Sequence, residues 1–160
     1  MGSKVWYLEL VERAQFVSSM IPEGLELREV HEASMNARFY REVGSLWHWT
    51  DRLSWTDRQW ENWVNRENLK TWIAHFEGEE AGYVEMEFQE AGSVEIVYFG
   101  LLPSMIGKGL GGGMLSLSVQ EAWKIEGTQR LWLHTCSEDH PHALGNYEKR
   151  GFRLFRVEEI

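Results

Sequence analysis

The chain has 160 residues, of which 43% are hydrophobic and 26% charged, a composition typical of one globular domain with its own core. Its formal net charge of −9 argues against a nucleic-acid partner, because phosphate binding needs a surplus of Lys and Arg, and it favours a cationic or amine substrate. No apolar run approaches the roughly 18 residues of a membrane span, and the N-terminus lacks a signal-peptide pattern. Cys136 is the single cysteine, which favours a reducing compartment such as the cytoplasm. We therefore expect one cytoplasmic domain, residues 1–160, without a membrane or nucleic-acid partner.

Hydrophobic patterning divides the chain into strands and helices joined by short turns. The predicted strands are residues 5–10, 25–30, 71–76, 82–88, 94–101, 131–135 and 152–158. The predicted helices are residues 33–43, 57–66, 109–126 and 141–150. The three central strands follow one another through short turns, which predicts an antiparallel meander. The helix after them connects two strands, which predicts a parallel pair with a right-handed crossover.

The helix over residues 57–66 has a clear start signal. Thr56 stands at the N-cap and Gln59 at N3, which is the arrangement of a capping box. Trp55 and Trp60 occupy the two positions of a hydrophobic staple across the same cap. These side chains predict that the helix begins directly after Thr56.

A glycine-rich loop, PSMIGKGLGGGM at residues 103–114, lies between a predicted strand and a predicted helix. Glycine lets a ligand approach the backbone, and the first turn of a helix has N–H groups without internal partners in a dipole that favours anions. Lys108 adds a nearby cation. The loop therefore predicts a phosphorylated ligand, held by the main-chain N–H groups of residues 107–111.

Two other phosphate loops and a turn without a ligand are the alternatives. A P-loop needs Ser or Thr after Lys108, where this chain has Gly109. Gly107, Gly109 and Gly112 formally meet the dinucleotide fingerprint, but the next strand carries His134 and no acid. A plain turn would keep several glycines at a helix start, at a cost of about 1 kcal/mol each. A phosphate-binding loop of another kind fits the sequence better.

The loop resembles the acyl-CoA-binding motif of the GNAT family, the GCN5-related N-acetyltransferases. Gly109 and Gly111 fill the glycine positions of that motif, and Ile106 stands in place of its usual Arg or Gln. The resemblance implies acetyl-CoA as cosubstrate, with the main chain of residues 101–102 lining its pantetheine arm and offering an N–H to the thioester oxygen. The residues implied to bind it are Leu101, Leu102, Ile106, Gly107, Lys108, Gly109, Leu110, Gly111 and Asn146.

Two further segments resemble the same family. Residues 143–152, ALGNYEKRGF, share the Tyr-x-x-x-Gly-Phe pattern of its closing motif, with His140 in place of a usual Asn. The sequence EIV at residues 95–97 resembles the strand that carries the general base in the histone-acetylating branch. The resemblance implies an α/β (α+β) fold, with a mixed, mostly antiparallel sheet of about six or seven strands flanked by about four helices.

Transfer of an acetyl group from a thioester to an amine needs a base for the amine and an acid for the leaving thiolate. Tyr147 is implied as the acid, the alternative being a tyrosine packed on the sheet with its hydroxyl bonded to the backbone. Glu95 is implied as the base, acting through a water, because its apolar strand neighbours would raise its pKa. If Glu95 is instead an exposed strand carboxylate, the other candidate bases are Glu85, Glu87 and His134 on adjacent strands.

A tryptophan-rich segment, residues 47–63, follows the first predicted helix. Aromatic faces attract cations, so this segment predicts a pocket for an amine with an apolar or aromatic body; the alternative is core packing between the helix and the sheet. The residues predicted to contact the substrate are Trp47, Trp49, Asp51 and His134.

A histidine-rich region raises the alternative of a metal site. His134, Cys136, His140 and His142 are of the types that ligate zinc, but they lack the paired spacing of zinc sites. No metal is therefore predicted.

The chain has room for one strand after residue 151, where the family closes with two. A surplus strand, residues 5–10, lies at the front of the chain. We predict that it joins the C-terminal side of the sheet and pairs with residues 153–158.

The predicted function is acetyl transfer from acetyl-CoA to a primary amine of a small molecule, by direct attack in a ternary complex. One alternative is a protein or peptide acceptor, against which the short Trp-rich segment argues mildly. Another is a non-catalytic acyl-CoA-binding domain, which the departures at Ile106 and His140 leave open. Dimers are common in the family, so a homodimer is also left open.

Overall fold

The computed structural model describes residues 3–160, and it has seven strands and four α-helices in that range. The strands are β1 (Lys4–Leu10), β2 (Leu25–Val30), β3 (Leu69–Phe76), β4 (Glu79–Phe88), β5 (Ser93–Leu101), β6 (Arg130–Cys136) and β7 (Arg153–Glu159). The helices are α1 (Ala33–Gly44), α2 (Asp57–Val64), α3 (Gly111–Lys124) and α4 (Ala143–Lys149).

The strands form one mixed sheet in the order β2-β3-β4-β5-β6-β1-β7. β3, β4 and β5 make the predicted antiparallel meander. β5 and β6, which α3 connects, are the predicted parallel pair. The sheet and its four helices confirm the predicted fold class.

The N-terminal strand β1 lies between β6 and β7 and pairs antiparallel with both. Trp6 is opposite Val157 in the pairing with β7, and Leu8 is opposite Leu154. Leu8 and Leu10 are completely buried, so β1 contributes to the core as well as to the sheet. The predicted pairing of the N-terminal strand with the C-terminal strand is confirmed.

The parallel pair β5–β6 separates after a short contact. Pairing is confined to residues 93–95 of β5 and residues 130–132 of β6. Beyond them the register of β5 against β4 shifts between Ile96 and Tyr98, which leaves Val97 without a partner. A bulge of this kind bends a strand and increases its twist. β5 therefore turns away from β6, and a gap opens between the remaining parts of the two strands.

The helices cover both faces of the sheet, because the strands bury apolar side chains on each side. On one face, α1 and α2 pack on a core of Ala37, Phe39, Tyr40, Val43, Trp60, Ile73 and Tyr83. On the other face, α3 and α4 pack on a larger core that includes Leu8, Leu10, Val84, Met86, Met114, Val119 and Leu131. The gap between β5 and β6 thus connects the two faces.

The predicted capping box is present at the start of α2. The Gln59 main-chain N–H donates to the Thr56 hydroxyl (3.2 Å), and the Thr56 N–H donates to the Gln59 side-chain oxygen (2.8 Å). The rings of Trp55 and Trp60 also meet across the cap, with centroids 4.8 Å apart. The helix ends at Val64, two residues before the predicted end, because the next residue has a ψ of 2° and leaves helical geometry.

Two other helices begin later than the sequence predicts. α3 begins two residues late, because Gly107 and Gly109 have φ angles of 88° and 75°, which a right-handed helix does not allow. α4 begins two residues late, because the His142 N–H donates to the Nδ1 atom of His140 in a turn before the helix.

Candidate active site

The glycine-rich loop between β5 and α3 carries a run of main-chain N–H groups without partners. Every N–H from residue 107 to residue 113 lacks an acceptor among residues 3–160. The first bond of the helix runs from the Met114 N–H to the Leu110 carbonyl, at 2.9 Å. Unpaired donors at the positive end of a helix dipole make a site suited to an anion.

The packing around the loop glycines indicates where a ligand fits. A Cβ on Gly111 would meet no protein atom within 4 Å, and the same holds at Gly107 and Gly109. At Gly111, whose φ is not positive, neither packing nor backbone conformation therefore requires glycine. A Cβ on Gly112, by contrast, would lie 2.7 Å from the Ser19 hydroxyl. The open side of the loop fits a group that approaches the main chain, as a diphosphate would.

A cleft of about 920 Å³ begins at this loop and passes through the gap between β5 and β6. On the face of α3 and α4, Asn146 and Tyr147 line the cleft. On the face of α1 and α2, residues 47–51 and His134 line it. The cleft therefore joins the glycine-rich loop to the opposite face of the sheet.

Most of the predicted site residues meet in this cleft. Those that line it are Leu101, Ile106, Gly107, Gly109, Leu110, Gly111, Asn146, Tyr147, Trp47, Trp49, Asp51 and His134. Three do not line it: Glu95, Leu102 and Lys108.

Leu101 and Leu102, the two predicted main-chain contacts at the end of β5, have N–H groups that point in opposite directions. The Leu102 N–H donates to the Ala81 carbonyl of β4 at 2.8 Å, so it is not free to bind a thioester oxygen. Main-chain N–H groups alternate in direction along a strand. The Leu101 N–H therefore points to the edge facing β6, where β5 is no longer paired. Leu101, not Leu102, has the free donor in the gap.

Tyr147 lies on α4 with its ring against Phe152, at a centroid distance of 5.6 Å. Burial raises the pKa of Tyr147 well above its usual value of 10.0, and no hydrogen bond contributes to that shift. The hydroxyl is thus protonated at neutral pH and unbonded within residues 3–160. The alternative of a hydroxyl bonded to the backbone does not apply.

Glu95 lies behind His134, seen from the cleft. Its Oε2 atom is 3.8 Å from the Nε2 atom of His134, and its Oε1 atom accepts a hydrogen bond from Gln89 at 3.0 Å. The Glu95 side chain is 13% exposed, and burial raises its pKa to about 7, against the lowering effect of the Gln89 hydrogen bond. Burial lowers the pKa of His134. A neutral imidazole thus faces the cleft, with a carboxyl that titrates near neutrality behind it.

The two other candidate carboxylates are held by cations. Glu85 is completely buried, and its Oε1 atom accepts a hydrogen bond from Arg52 at 3.0 Å. Glu87 accepts a hydrogen bond from Arg66 at 2.8 Å. Burial raises the pKa of Glu87, but the hydrogen bonds from Gln89 and Arg66 outweigh it and leave the pKa below its usual value. Neither carboxylate reaches the cleft with a free oxygen, which disfavours both as bases.

The tryptophan-rich segment encloses a cation that belongs to the chain itself. The Arg52 guanidinium lies 4.4 Å from the ring centroid of Trp63 and 4.7 Å from those of Trp55 and Tyr98. It is 6% exposed and forms the ion pair with Glu85 described above. The predicted attraction between these rings and a cation is therefore satisfied within the core by Arg52, a residue to which no sequence motif points.

The start of the same segment lies in the cleft. Trp47 contacts the ring of His140 at a centroid distance of 5.2 Å, and Trp49 contacts the ring of Tyr98 at 4.6 Å. Asp51 is exposed and forms no ion pair within residues 3–160. Trp47 and Asp51 are accordingly open to a ligand, whereas Trp49 also packs on the core.

Several groups around His134 were not found by sequence reasoning. Tyr7 is opposite His134 in the β1–β6 pairing and donates a hydrogen bond to Glu158. Asp139, Asp51 and Glu158 all act to raise the pKa of His134, against the larger effect of burial. The position of β1 between β6 and β7 brings Tyr7 and Glu158 there, and single-sequence motifs carry no signal for it.

The histidine-rich region does not assemble a metal site in the described part of the chain. Among residues 3–160, no group of three His, Cys, Asp or Glu side chains is placed to hold a metal ion. Each helix of the same residues is too short or too polar to cross a membrane.

The sequence profile of the acetyltransferase (GNAT) family matches residues 27–152. This chain therefore belongs to the GNAT family of acetyltransferases. No curated protein gives a significant sequence match.

Solved structures share the fold at low sequence identity. A GCN5-related N-acetyltransferase from Kribbella flavida is 18% identical, with a TM-score of 0.69 over 98% of this chain and 58% of its own. One from Sphaerobacter thermophilus is 17% identical, with a TM-score of 0.72 over 98% of this chain and 50% of its own. This chain thus spans only half to three-fifths of those proteins.

A smaller relative in fold is the aminoglycoside acetyltransferase meta-AAC0020, from an uncultured soil metagenomic sample, in complex with sisomicin. It is 11% identical, with a TM-score of 0.61 over 79% of this chain and 86% of its own. At these identities the likeness establishes the fold.

Proposed function

We propose that this protein transfers the acetyl group of acetyl-CoA to a primary amine of a small molecule, by direct attack in a ternary complex. The observation that carries the proposal is the cleft, which joins the unpaired N–H groups of residues 107–113 to His134 on the opposite face of the sheet. Membership of an acetyltransferase family supports acetyl-CoA as the acyl donor. Two substrates that enter from opposite faces can meet in the gap between β5 and β6.

The chain offers matching groups for the acyl donor. The diphosphate would accept hydrogen bonds from the loop N–H groups, and the exposed apolar side chain of Ile106 would flank it. The Leu101 N–H is a free donor at the β5 edge for a carbonyl oxygen of the donor. Hydrogen bonds to an oxygen that gains negative charge during the reaction stabilise the transition state.

His134 and Glu95 would remove the proton that the attacking amine must lose. An ammonium group in the cleft meets His134 first, and Glu95 behind it stabilises the imidazolium that forms or takes the proton on through a water. The amine nitrogen then forms a bond to the thioester carbon, and the carbon–sulfur bond breaks. The departing thiolate takes the proton of the Tyr147 hydroxyl, and the tyrosinate regains a proton from the nitrogen, which loses its second proton as the amide forms.

The charge around His134 favours an acceptor that is cationic in solution. Asp139 and Asp51 lie close enough to raise the pKa of His134, and the chain carries a net charge of −9. These charges attract an ammonium ion to the cleft before it loses its proton. Trp47 offers an apolar ring beside them. Aminoglycosides are included among the candidate acceptors because one fold neighbour is an aminoglycoside acetyltransferase.

A thiol-release assay with acetyl-CoA tests the proposal against panels of small amines, amino acids and aminoglycosides, with Tyr147→Phe as the control for background hydrolysis. Thiol release that depends on one amine class and is lost in Tyr147→Phe supports it. Activity confined to peptides would favour a protein acceptor. Binding of acetyl-CoA without transfer to any acceptor would favour a non-catalytic domain.

A further inference from the structure

The loop proposed to bind the diphosphate of coenzyme A brings no cationic side chain into the cleft. Its residues that line the cleft are glycines and the apolar Ile106 and Leu110. Lys108, the one cation of the loop, does not line the cleft. Main-chain N–H groups supply hydrogen bonds and partial charge, but a dianionic diphosphate is bound more tightly with a full positive charge beside it.

Arg150 places a guanidinium beside the first turn of α3. Its Nη2 atom lies 3.8 Å from the position of a Cβ on Gly112, the second residue of that helix. Arg150 lines the cleft. Its guanidinium forms no ion pair within residues 3–160, and its one hydrogen bond is a long contact of 3.5 Å to the Ser18 carbonyl. The side chain is therefore next to the unpaired N–H groups, and no carboxylate of the described residues neutralises it.

The backbone of Arg150 is held firmly although its side chain is not. Its N–H donates to the carbonyls of Asn146 (3.2 Å) and Tyr147 (3.1 Å) at the end of α4. Its carbonyl accepts from the Val17 N–H at 2.7 Å. These bonds fix the starting point of the side chain, so binding a ligand orders only the side-chain torsions and not the backbone.

We propose that Arg150 binds the diphosphate of coenzyme A, together with the main-chain N–H groups of the glycine-rich loop. The inference rests on the proposed function, because it needs that nucleotide on the loop. The planar guanidinium can donate two parallel hydrogen bonds to a phosphate, and it keeps its charge at every physiological pH. Arg150 comes from α4, so it would tie the C-terminal motif to the loop through the ligand.

Isothermal titration calorimetry with coenzyme A and with 3′-dephospho-coenzyme A tests the assignment. Arg150→Gln should weaken the binding of both nucleotides by about tenfold or more, equivalent to about 1.4 kcal/mol. Arg153→Gln removes the same charge three residues away on exposed β7 and should change affinity less than threefold. Arg150→Lys should recover part of the loss.

A second-site variant separates a phosphate contact from a structural role. Ile106 lines the cleft from the loop and is 37% exposed, so an Arg side chain fits there. Ile106→Arg in the Arg150→Gln background should restore affinity for both nucleotides, because it returns a positive charge to the loop. If Arg150→Gln had instead disordered the loop, the new Arg would not restore affinity.

Each outcome of the titrations bears on the assignment. Equal affinity of Arg150→Gln and wild type overturns it, and leaves the proposed function intact. A loss confined to coenzyme A, without loss for the dephospho form, also overturns it, because it moves the contact to the 3′-phosphate. Failure of the wild type to bind either nucleotide overturns the inference and the proposed function together.

Discussion

The Nε2 atom of His134 lies 3.8 Å from the Oε2 atom of Glu95, so the imidazole stands between the buried carboxyl and the cleft. Because burial raises the pKa of Glu95 to about 7, the carboxyl is ionised in only about half of the molecules at neutral pH. A base must be deprotonated, so we expect kcat/KM to rise with pH through an apparent pKa of about 7.

Glu95→Gln should remove that pH dependence and lower kcat by about 10²-fold, the usual size of a general-base contribution. The measurement is a pH–rate profile of both proteins between pH 5.5 and 9. Glu67→Gln, at an exposed site that does not line the cleft, is the matched control and should keep the wild-type profile. A Glu95→Gln enzyme with full activity at every pH would show that Glu95 is not the base.

The same carboxyl should make stability depend on pH. The folded protein holds the Glu95 proton up to a pKa of about 7, whereas the usual value is 4.5, so stability falls as pH rises through that window. Glu95→Gln should therefore raise Tm at pH 8 and change it little at pH 4.5. Each kcal/mol gained in the free energy of unfolding should raise Tm by about 2–4 °C. Thermal unfolding at the two pH values measures this.

Glu87→Gln gives the opposite sign in that experiment. The pKa of Glu87 is below its usual value, so its ionised form stabilises the fold at neutral pH and this contribution is lost in acid. We expect Glu87→Gln to lower Tm more at pH 8 than at pH 4. If both variants changed Tm by the same amount at every pH, burial would not raise the pKa of Glu95.

Tyr147→Phe removes a hydroxyl in the cleft that has no hydrogen-bond partner among residues 3–160. Transfer should slow by about 10²–10⁴-fold, the range for loss of a general acid. The affinity for coenzyme A should stay within about twofold, because the ring and its contact with Phe152 remain. Turnover and calorimetric affinity are measured on the same preparation. Equal losses in both would indicate a binding role for the hydroxyl instead of a catalytic one.

The sequence was sufficient for the parts of the fold that depend on local signals and strand count. The capping box at Thr56 and the glycine-rich loop are short motifs whose physics is local. The place of β1 beside β7 followed from counting strands against the family pattern. The starts of α3 and α4 were predicted two residues early, because the φ angles of Gly107 and Gly109 and the turn at His142 depend on the folded chain.

The details of the site needed three-dimensional information. No spacing rule places Glu95 behind His134, because that order depends on where β5 and β6 stop pairing. Arg52 is surrounded by aromatic residues of several elements, and only the fold brings them together. The main chain of residues 101–102 was expected to offer an N–H, and only the fold shows that Leu102 donates its own to Ala81 of β4.

The buried ion pair of Arg52 with Glu85 makes a sharp stability prediction. Arg52→Met leaves the fully buried Glu85 carboxylate without its cation and should lower the free energy of unfolding by about 3–5 kcal/mol. Arg28→Ala, which breaks an exposed ion pair with Glu26, should change it by less than about 1 kcal/mol. Urea denaturation measures both. Similar effects for the two variants would mean that the Arg52 cage contributes no more than a surface pair.

Asp51 tests whether the cleft selects a cationic acceptor. Its carboxylate lines the cleft without an ion-pair partner in the described residues, so Asp51→Asn should raise KM for the acceptor amine by about threefold to tenfold, with kcat nearly unchanged. The increase should shrink at high salt, because exposed charges are screened. Glu67→Gln removes the same charge from an exposed site that does not line the cleft, and it controls for the net charge of the chain. If both variants raise KM equally, the attraction belongs to the overall charge and Asp51 makes no contact with the substrate.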